Sequence, residues 1–282
     1  MRGMRGAMLG CVLIAVVSAP AVGFGQWLKL PTQGVPRNPD GTPNLKAPTP
    51  RLADGKPDFS GIWHAGNRRP CVPGTGEFIA CDSEIGASRL SRDLGADTPG
   101  GLPYLPAARQ IWEHRKADDG RDDPHVRCLP DNPPRHWNLP HLSRLIHTPK
   151  LLAVLYEVNA QYRQIHIDGR PLPADMNPSW MGYSTSRWEG DTLVVQTEGF
   201  RDGLWADMNG SPLGSATKMT ERITRPNYGT LNIDLTIDDP KHYSKPFTVK
   251  LTQVIELDTE IVDEFCLEGE QSYERMLRSR GK

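Results

Sequence analysis

The sequence predicts a mainly β protein, an antiparallel meander that closes into a barrel or folds into a sandwich, with one short helix. In residues 164–168, isoleucines alternate with Gln164, His166 and Asp168 at the period of two that is typical of a strand. Residues 230–238 alternate in the same way, with leucine and isoleucine on one face and polar side chains on the other. The Glu-Gly-Asp connection at 189–191 is typical of a hairpin. No repeating strand–helix–strand pattern is present, so a parallel sheet is not expected.

The N-terminus has the layout of a secretory signal peptide over residues 1–23. Arg2 and Arg5 precede an apolar stretch over 7–17, and small residues follow at 18–21. The apolar run is shorter than the roughly 20 residues that span a bilayer. We therefore expect an exported protein, periplasmic or extracellular, without a stable membrane anchor.

The remaining chain predicts a proline-rich arm over residues 24–56 and a single β-rich domain over 57–282. In that domain, 57–141 form a loop-rich excursion and 142–270 a strand meander. The sequence predicts the helix over residues 106–116, with proline in its first turn and Gly120 beyond its end. Residues 131–134 are expected to be loop and residues 262–268 the last strand. Gly61 and Trp63 form a Gly-x-Trp pattern that resembles the start of lipocalin-type barrels.

Four cysteines remain after the signal peptide, an even number that predicts disulfides in an oxidising compartment. Three pairings are possible. The short interval favours Cys71 with Cys81, which leaves Cys128 with Cys266 to tie the middle of the chain to its last strand. Closing so long a loop stabilises a fold by on the order of 4 kcal/mol. A four-cysteine zinc site is disfavoured because no CxxC spacing occurs.

Composition and motifs exclude several function classes. Lys and Arg total 33 against 34 Asp and Glu, so no basic field favours nucleic acid or an anionic membrane surface. Neither a GxGxxG motif nor a P-loop is present, and we expect no cofactor. His136, His141 and His147 lack the spacing of metal ligands, so no metal is expected either.

Several phrases resemble a family of exported bacterial β-rich proteins. They are DGKPDFSGIW at 54–63, the stretch from Arg163 to the DGR at 168–170, WEGDTLVV at 188–195 and TER at 220–222. The resemblance implies export and a β-rich fold, and it transfers no catalytic residue. Similar proteins tend to carry histidine before the Glu-Arg pair, whereas residues 210–218 contain none.

Glu221 is the first candidate catalytic residue. Alternation places it on the same face as Met219 and Ile223, which predicts a carboxylate on the apolar side of the strand. An apolar pocket would raise its pKa and suit it to general acid or base work. The alternative is an internal salt bridge to an arginine such as Arg170 or Arg187.

His166 and Asp168 form the second candidate pair, because residues i and i+2 share a strand face. They could act as a base and its orienting carboxylate, although such pairs also occur on solvated faces. The Gly-Tyr-Ser-Thr-Ser stretch at 182–186 lacks the second glycine of a nucleophile elbow, so a serine hydrolase of that fold is not expected.

Aromatic and basic side chains supply the candidate ligand-binding residues, which are Trp180, Trp188, Trp205, Tyr183, Arg170 and Arg187. Aromatic side chains can stack on a ligand or fill a core. The sequence favours an exported, lipocalin-like protein that binds a small, largely apolar or aromatic molecule. The alternatives are a cofactor-independent lyase, isomerase or hydrolase that uses a buried carboxylate or histidine, and a barrel filled by its own side chains.

Overall fold

The computed structural model describes residues 30–66 and 88–269, and within them the predicted mainly β fold is confirmed. Nine strands close into a barrel in the order β1-β11-β10-β9-β6-β5-β4-β3-β2, and β7 pairs with β8 in a separate small sheet. The strands are β1 (Gly61–Ala65), β2 (Ser143–His147), β3 (Leu151–Tyr156), β4 (Tyr162–His166), β5 (Tyr183–Glu189), β6 (Thr192–Glu198), β7 (Leu204–Trp205), β8 (Pro212–Leu213), β9 (Lys218–Asn227), β10 (Thr230–Asp238) and β11 (Phe247–Glu256).

Helices in the described residues are short except for one. They are α1 (Arg89–Arg92), α2 (Pro106–Ala117), α3 (Pro133–His136) and α4 (Cys266–Gly269), with a single 3-10 turn at Pro124–Arg127. The predicted helix is α2, which begins at its proline as expected. In the part of the chain that the structure describes, no helix is long and apolar enough to cross a membrane.

The alternating strands place their apolar residues inside the barrel. On β10, the side chains of Leu231, Ile233 and Leu235 are fully buried, while the residues between them lie at least partly at the surface. Ile233 pairs with Ile223 of β9 and with Leu251 of β11, so the inward positions of three long strands coincide. The apolar residues that recur at every second position of these strands therefore form the core.

One strand pair departs from the expected antiparallel meander. β4 and β5 run parallel, and only Ile165 with Ser184 and His166 with Thr185 are in register. The connection over 167–182 contains three prolines and is long enough to return the chain to the end of the barrel at which β4 began. Because the shared register is so short, the barrel wall is weakly paired at this seam.

The described part of the N-terminal arm, residues 30–56, packs along the barrel. Thr32 and Asp258 exchange two hydrogen bonds of 2.8 Å each. The carbonyl oxygen of Ala47 accepts a hydrogen bond from the Tyr228 amide at 2.9 Å. The arm is therefore held by hydrogen bonds to residues that follow β9 and β11, which its composition did not predict.

The disulfide between Cys128 and Cys266 is present, as predicted. Cys266 lies in α4 and not in a last strand, so the strand expected over residues 262–268 is wrong. This acidic segment lacks apolar alternation, and within it only Glu264 bridges to Val158 beside β3. The predicted pairing of Cys71 with Cys81 and the signal peptide lie outside the described residues.

The loop expected over residues 131–134 is also partly wrong, because Pro133 and Pro134 begin α3. A proline at the first positions of a helix lacks only an N–H group that would have no intrahelical partner. This short helix presents the next residue, Trp137, to the barrel.

Candidate functional site

Glu221 lies inside the barrel, and its side chain is 0% exposed. Its Oε1 accepts hydrogen bonds from Nη1 of Arg163 at 2.9 Å and from Nε1 of Trp137 at 2.7 Å. Its Oε2 accepts from Nη2 of Arg163 at 2.5 Å. The carboxylate is thus held by two nitrogen atoms of one guanidinium group and by an indole.

Arg163 completes a polar network across the barrel. Its guanidinium also donates to the hydroxyl groups of Ser184 and Thr197, at 3.1 Å and 2.9 Å from Nη2. Burial alone would lower the pKa of Arg163, but the charge and hydrogen bonds of Glu221 outweigh it and raise the pKa above its ordinary value. The guanidinium of Arg163 is therefore charged, and both oxygens of Glu221 have hydrogen-bond partners.

The expected salt bridge of Glu221 is present, but its partner is neither Arg170 nor Arg187. Arg170 pairs with Asp168 at 2.6 Å, and Arg187 pairs with Glu189 at 2.8 Å, both on the outer surface. Arg163 lies on β4, which β6 and β5 separate from β9 in the sheet order. The contact therefore spans the barrel interior, a relation that strand order in the sequence does not reveal.

Side chains fill this part of the barrel interior. Trp137 contacts both β11 and β9, since its carbonyl oxygen accepts a hydrogen bond of 2.7 Å from Nε2 of Gln253 while its indole donates to Glu221. Trp137 and Arg163 are among the largest fully buried side chains of the described chain. The lumen that a lipocalin-like protein would use for its ligand is occupied here.

A groove of about 590 Å³ opens at the weakly paired seam between β4 and β5. Its walls combine apolar and aromatic side chains with a few polar ones. The lining residues are Pro130, Ala160, Gln161, Tyr162, Arg163, Gln164, His166, Ser179, Trp180, Met181, Gly182, Tyr183 and Ser184. Arg163 and Ser184 connect this groove to the buried network behind it.

Three of the candidate site residues meet in this groove, namely His166, Trp180 and Tyr183. The rings of His166 and Tyr183 are 5.2 Å apart between centroids. Tyr162 was not expected at a site, yet its side chain contributes a 62% exposed aromatic surface to the same groove. The groove is thus an aromatic-walled cleft on the outside of the barrel.

The predicted pairing of His166 with Asp168 is not formed. Asp168 accepts hydrogen bonds from Nε and Nη2 of Arg170, and its pKa is lowered to about 2 mainly by these bonds. Burial and then the positive charge of Arg170 lower the pKa of His166, against the opposing effect of Asp168. Arg170 therefore takes the carboxylate that would have oriented the histidine, and its Nη1 also reaches the hydroxyl of Tyr183 at 3.4 Å.

The remaining predicted tryptophans lie elsewhere. Trp188 packs at 5.7 Å from Phe59 between ring centroids, on the far part of β5. Trp205 is buried beneath the guanidinium of Arg115, at 4.7 Å from the ring centroid. Both tryptophans pack in the core or at its edge, which is the alternative to ligand stacking that the sequence left open.

Sequence reasoning missed Arg163, Trp137 and Tyr162. Arg163 lies on the same face of β4 as Ile165. Its inward position could therefore have been predicted from the same period of two that identified Glu221. No sequence pattern indicated the position of Trp137, which depends on α3, or the groove, which depends on the parallel pairing of β4 with β5.

Other buried charges are also satisfied by partners. Arg135 donates to both oxygens of Asp123 at 2.7 Å, and its Nε lies 3.0 Å from Asp131. Asp207 lacks a cation, and it accepts hydrogen bonds from the amide of Leu94 and from Ser211. Burial raises the pKa of Asp207 to about 6. Among the described side chains, no cluster of three or more His, Cys, Asp or Glu could hold a metal ion.

Comparison with known proteins identifies no relative: neither a family model, nor a curated protein, nor a solved structure matches the chain.

Proposed function

We propose that the protein binds a small, largely apolar or aromatic molecule in the groove between β4 and β5. The observation that carries this proposal is the meeting of Tyr162, Trp180 and Tyr183 at one cleft, beside His166. A volume of about 590 Å³ lies in the range that small-molecule sites occupy. The ligand lies in this external groove and not in the lumen, which Trp137 and its neighbours fill.

Export is part of the same proposal. The arrangement of charged, apolar and small residues over 1–23 favours secretion. The disulfide between Cys128 and Cys266 supports it, because such bonds persist mainly in oxidising compartments.

A titration with N-phenyl-1-naphthylamine, a neutral fluorescent aromatic probe, tests the binding site. We expect saturable binding to the wild-type protein and an affinity about tenfold lower for Trp180→Leu, because that substitution removes an aromatic wall. Trp188→Leu is the matched control, since Trp188 is also partly exposed but lies outside the groove. Equal affinities for the two variants, or no saturable binding to the wild type, would contradict the proposal.

A second candidate is a cofactor-independent lyase, isomerase or hydrolase. One observation favours it: His166 lines the groove with a lowered pKa, so its ring is neutral near pH 7 and can accept a proton. Glu221 does not share this position, because it is buried and paired. Hydrolysis of aromatic esters that is lost in His166→Asn, with the melting temperature unchanged, would support this candidate, and equal rates in both proteins would refute it.

A further inference from the structure

The charges around the groove are unbalanced. The described residues that line it include no aspartate and no glutamate. Asp168 is held by Arg170 through three nitrogen–oxygen contacts of 2.6 to 3.0 Å. Glu198 pairs with Tyr183 across the sheet but does not line the groove. A negative ligand therefore meets no carboxylate on the walls.

Arg201 supplies a positive charge beside the groove, since it lies against the lining residue Trp180 without being a lining residue itself. Its guanidinium carbon lies 4.4 Å from the centroid of the Trp180 ring, and its backbone amide donates to the Ser179 carbonyl oxygen at 3.0 Å. In the ranges 30–66 and 88–269, Arg201 forms no ion pair with a carboxylate. The charge of Arg163, by contrast, is neutralised by Glu221 at 2.5 Å.

The stacked position suits Arg201 to recognise a carboxylate. A guanidinium group that lies over an aromatic ring keeps its N–H donors in its own plane, free at the ring edge. Two parallel donors of this kind match the two oxygens of a carboxylate. The parts of the Trp180 and Tyr183 side chains that line the groove offer an apolar surface for a flat hydrocarbon group.

We propose that the ligand of the groove is a planar aromatic carboxylate, whose rings contact Trp180 and Tyr183 and whose carboxylate pairs with Arg201. This inference rests on the proposed binding function of the groove and adds the chemical class of its ligand. A neutral aromatic of the same shape uses the same walls, so the carboxylate preference can be measured separately from binding itself.

Competition against the fluorescent probe with 2-naphthoate and 2-naphthamide measures that preference. We expect the wild type to bind 2-naphthoate roughly fivefold more tightly than the amide, the size of one solvent-screened ion pair. Arg201→Gln should bind both compounds equally. Arg187→Gln is the control, because Arg187 is also exposed and pairs with Glu189 outside the groove. It should keep the wild-type preference.

Salt gives a second test that needs no variant. Raising sodium chloride to 0.5 M should weaken binding of 2-naphthoate to the wild type and leave 2-naphthamide unchanged, because salt screens an exposed ion pair. Equal wild-type affinities for the two compounds, or an undiminished preference in Arg201→Gln, overturn the carboxylate inference while the binding function stands. Failure of both compounds and of the neutral probe to bind overturns the proposed function as well.

Discussion

Replacement of Glu221 by glutamine tests the ion pair inside the barrel. The substitution keeps the shape of the side chain and removes its negative charge. One glutamate oxygen becomes an NH₂ group, which then faces a donor of Arg163 or of Trp137, since both carboxylate oxygens now accept N–H groups. The variant therefore loses at least one hydrogen bond and leaves a buried guanidinium without its counter-charge.

The expected loss follows from the burial of both partners. The side chains of Arg163 and Glu221 are 1% and 0% exposed, so water cannot replace the missing charge. Removing one member of such a pair costs about 3 to 5 kcal/mol. For a domain of this size each kcal/mol lowers the melting temperature by about 2 to 4 °C, so we expect a decrease of roughly 6 to 20 °C.

Thermal unfolding followed by circular dichroism measures this decrease. Glu189→Gln is the control, because Glu189 pairs with Arg187 and Arg222 at the exposed surface, and its melting temperature should stay close to that of the wild type. The double variant Arg163→Met with Glu221→Leu should recover much of the loss, since no unpaired charge remains.

Unchanged melting of Glu221→Gln would refute the structural role of this pair. It would mean that Glu221 tolerates the neutral state in the folded protein, as a general acid must. A double variant less stable than Glu221→Gln would contradict the argument from an uncompensated charge.

Two further predictions concern the disulfide and a buried acid. Reduction of Cys128–Cys266 with dithiothreitol should lower the free energy of unfolding by about 4 to 5 kcal/mol, given the sequence separation of 138. Chemical denaturation measures this, and equal midpoints with and without reductant would refute it. Because the pKa of Asp207 is raised to about 6 from 3.8, its contribution to stability is present below about pH 4 and is lost as pH rises through 6. Relative to Asp207→Asn, the wild type should therefore be about 2 kcal/mol more stable at pH 4 than at pH 7, and a difference independent of pH would contradict this.

The fold could be predicted largely because strands with one buried face carry a period of two. The buried leucine and isoleucine residues of β10, such as Ile233 and Leu235, are those that alternation assigned to the core. The same pattern placed Glu221 on the inner face, which is correct. Pairing of Cys128 with Cys266 could be proposed because few pairings exist for four cysteines.

The partners across the barrel could not be predicted, because alternation specifies a face and not an opposite residue. Arg163 reaches Glu221 only after the sheet has closed and β4 and β9 face each other across the lumen. The parallel pairing of β4 with β5 was unexpected too, since the proline-rich connection does not indicate in which direction the next strand runs. The groove, and the meeting of Tyr162 with Trp180 in it, are consequences of that pairing.

Backbone amide NMR with 2-naphthamide tests the central claim, that the ligand site is the β4–β5 groove and not the barrel lumen. The neutral compound probes the location of binding irrespective of any preference for charge. We predict chemical-shift changes concentrated in residues 160–166 and 179–184, which form the two walls of the groove. Changes concentrated instead at inward residues of β10 and β11, such as Ile233 and Leu251, would contradict the account.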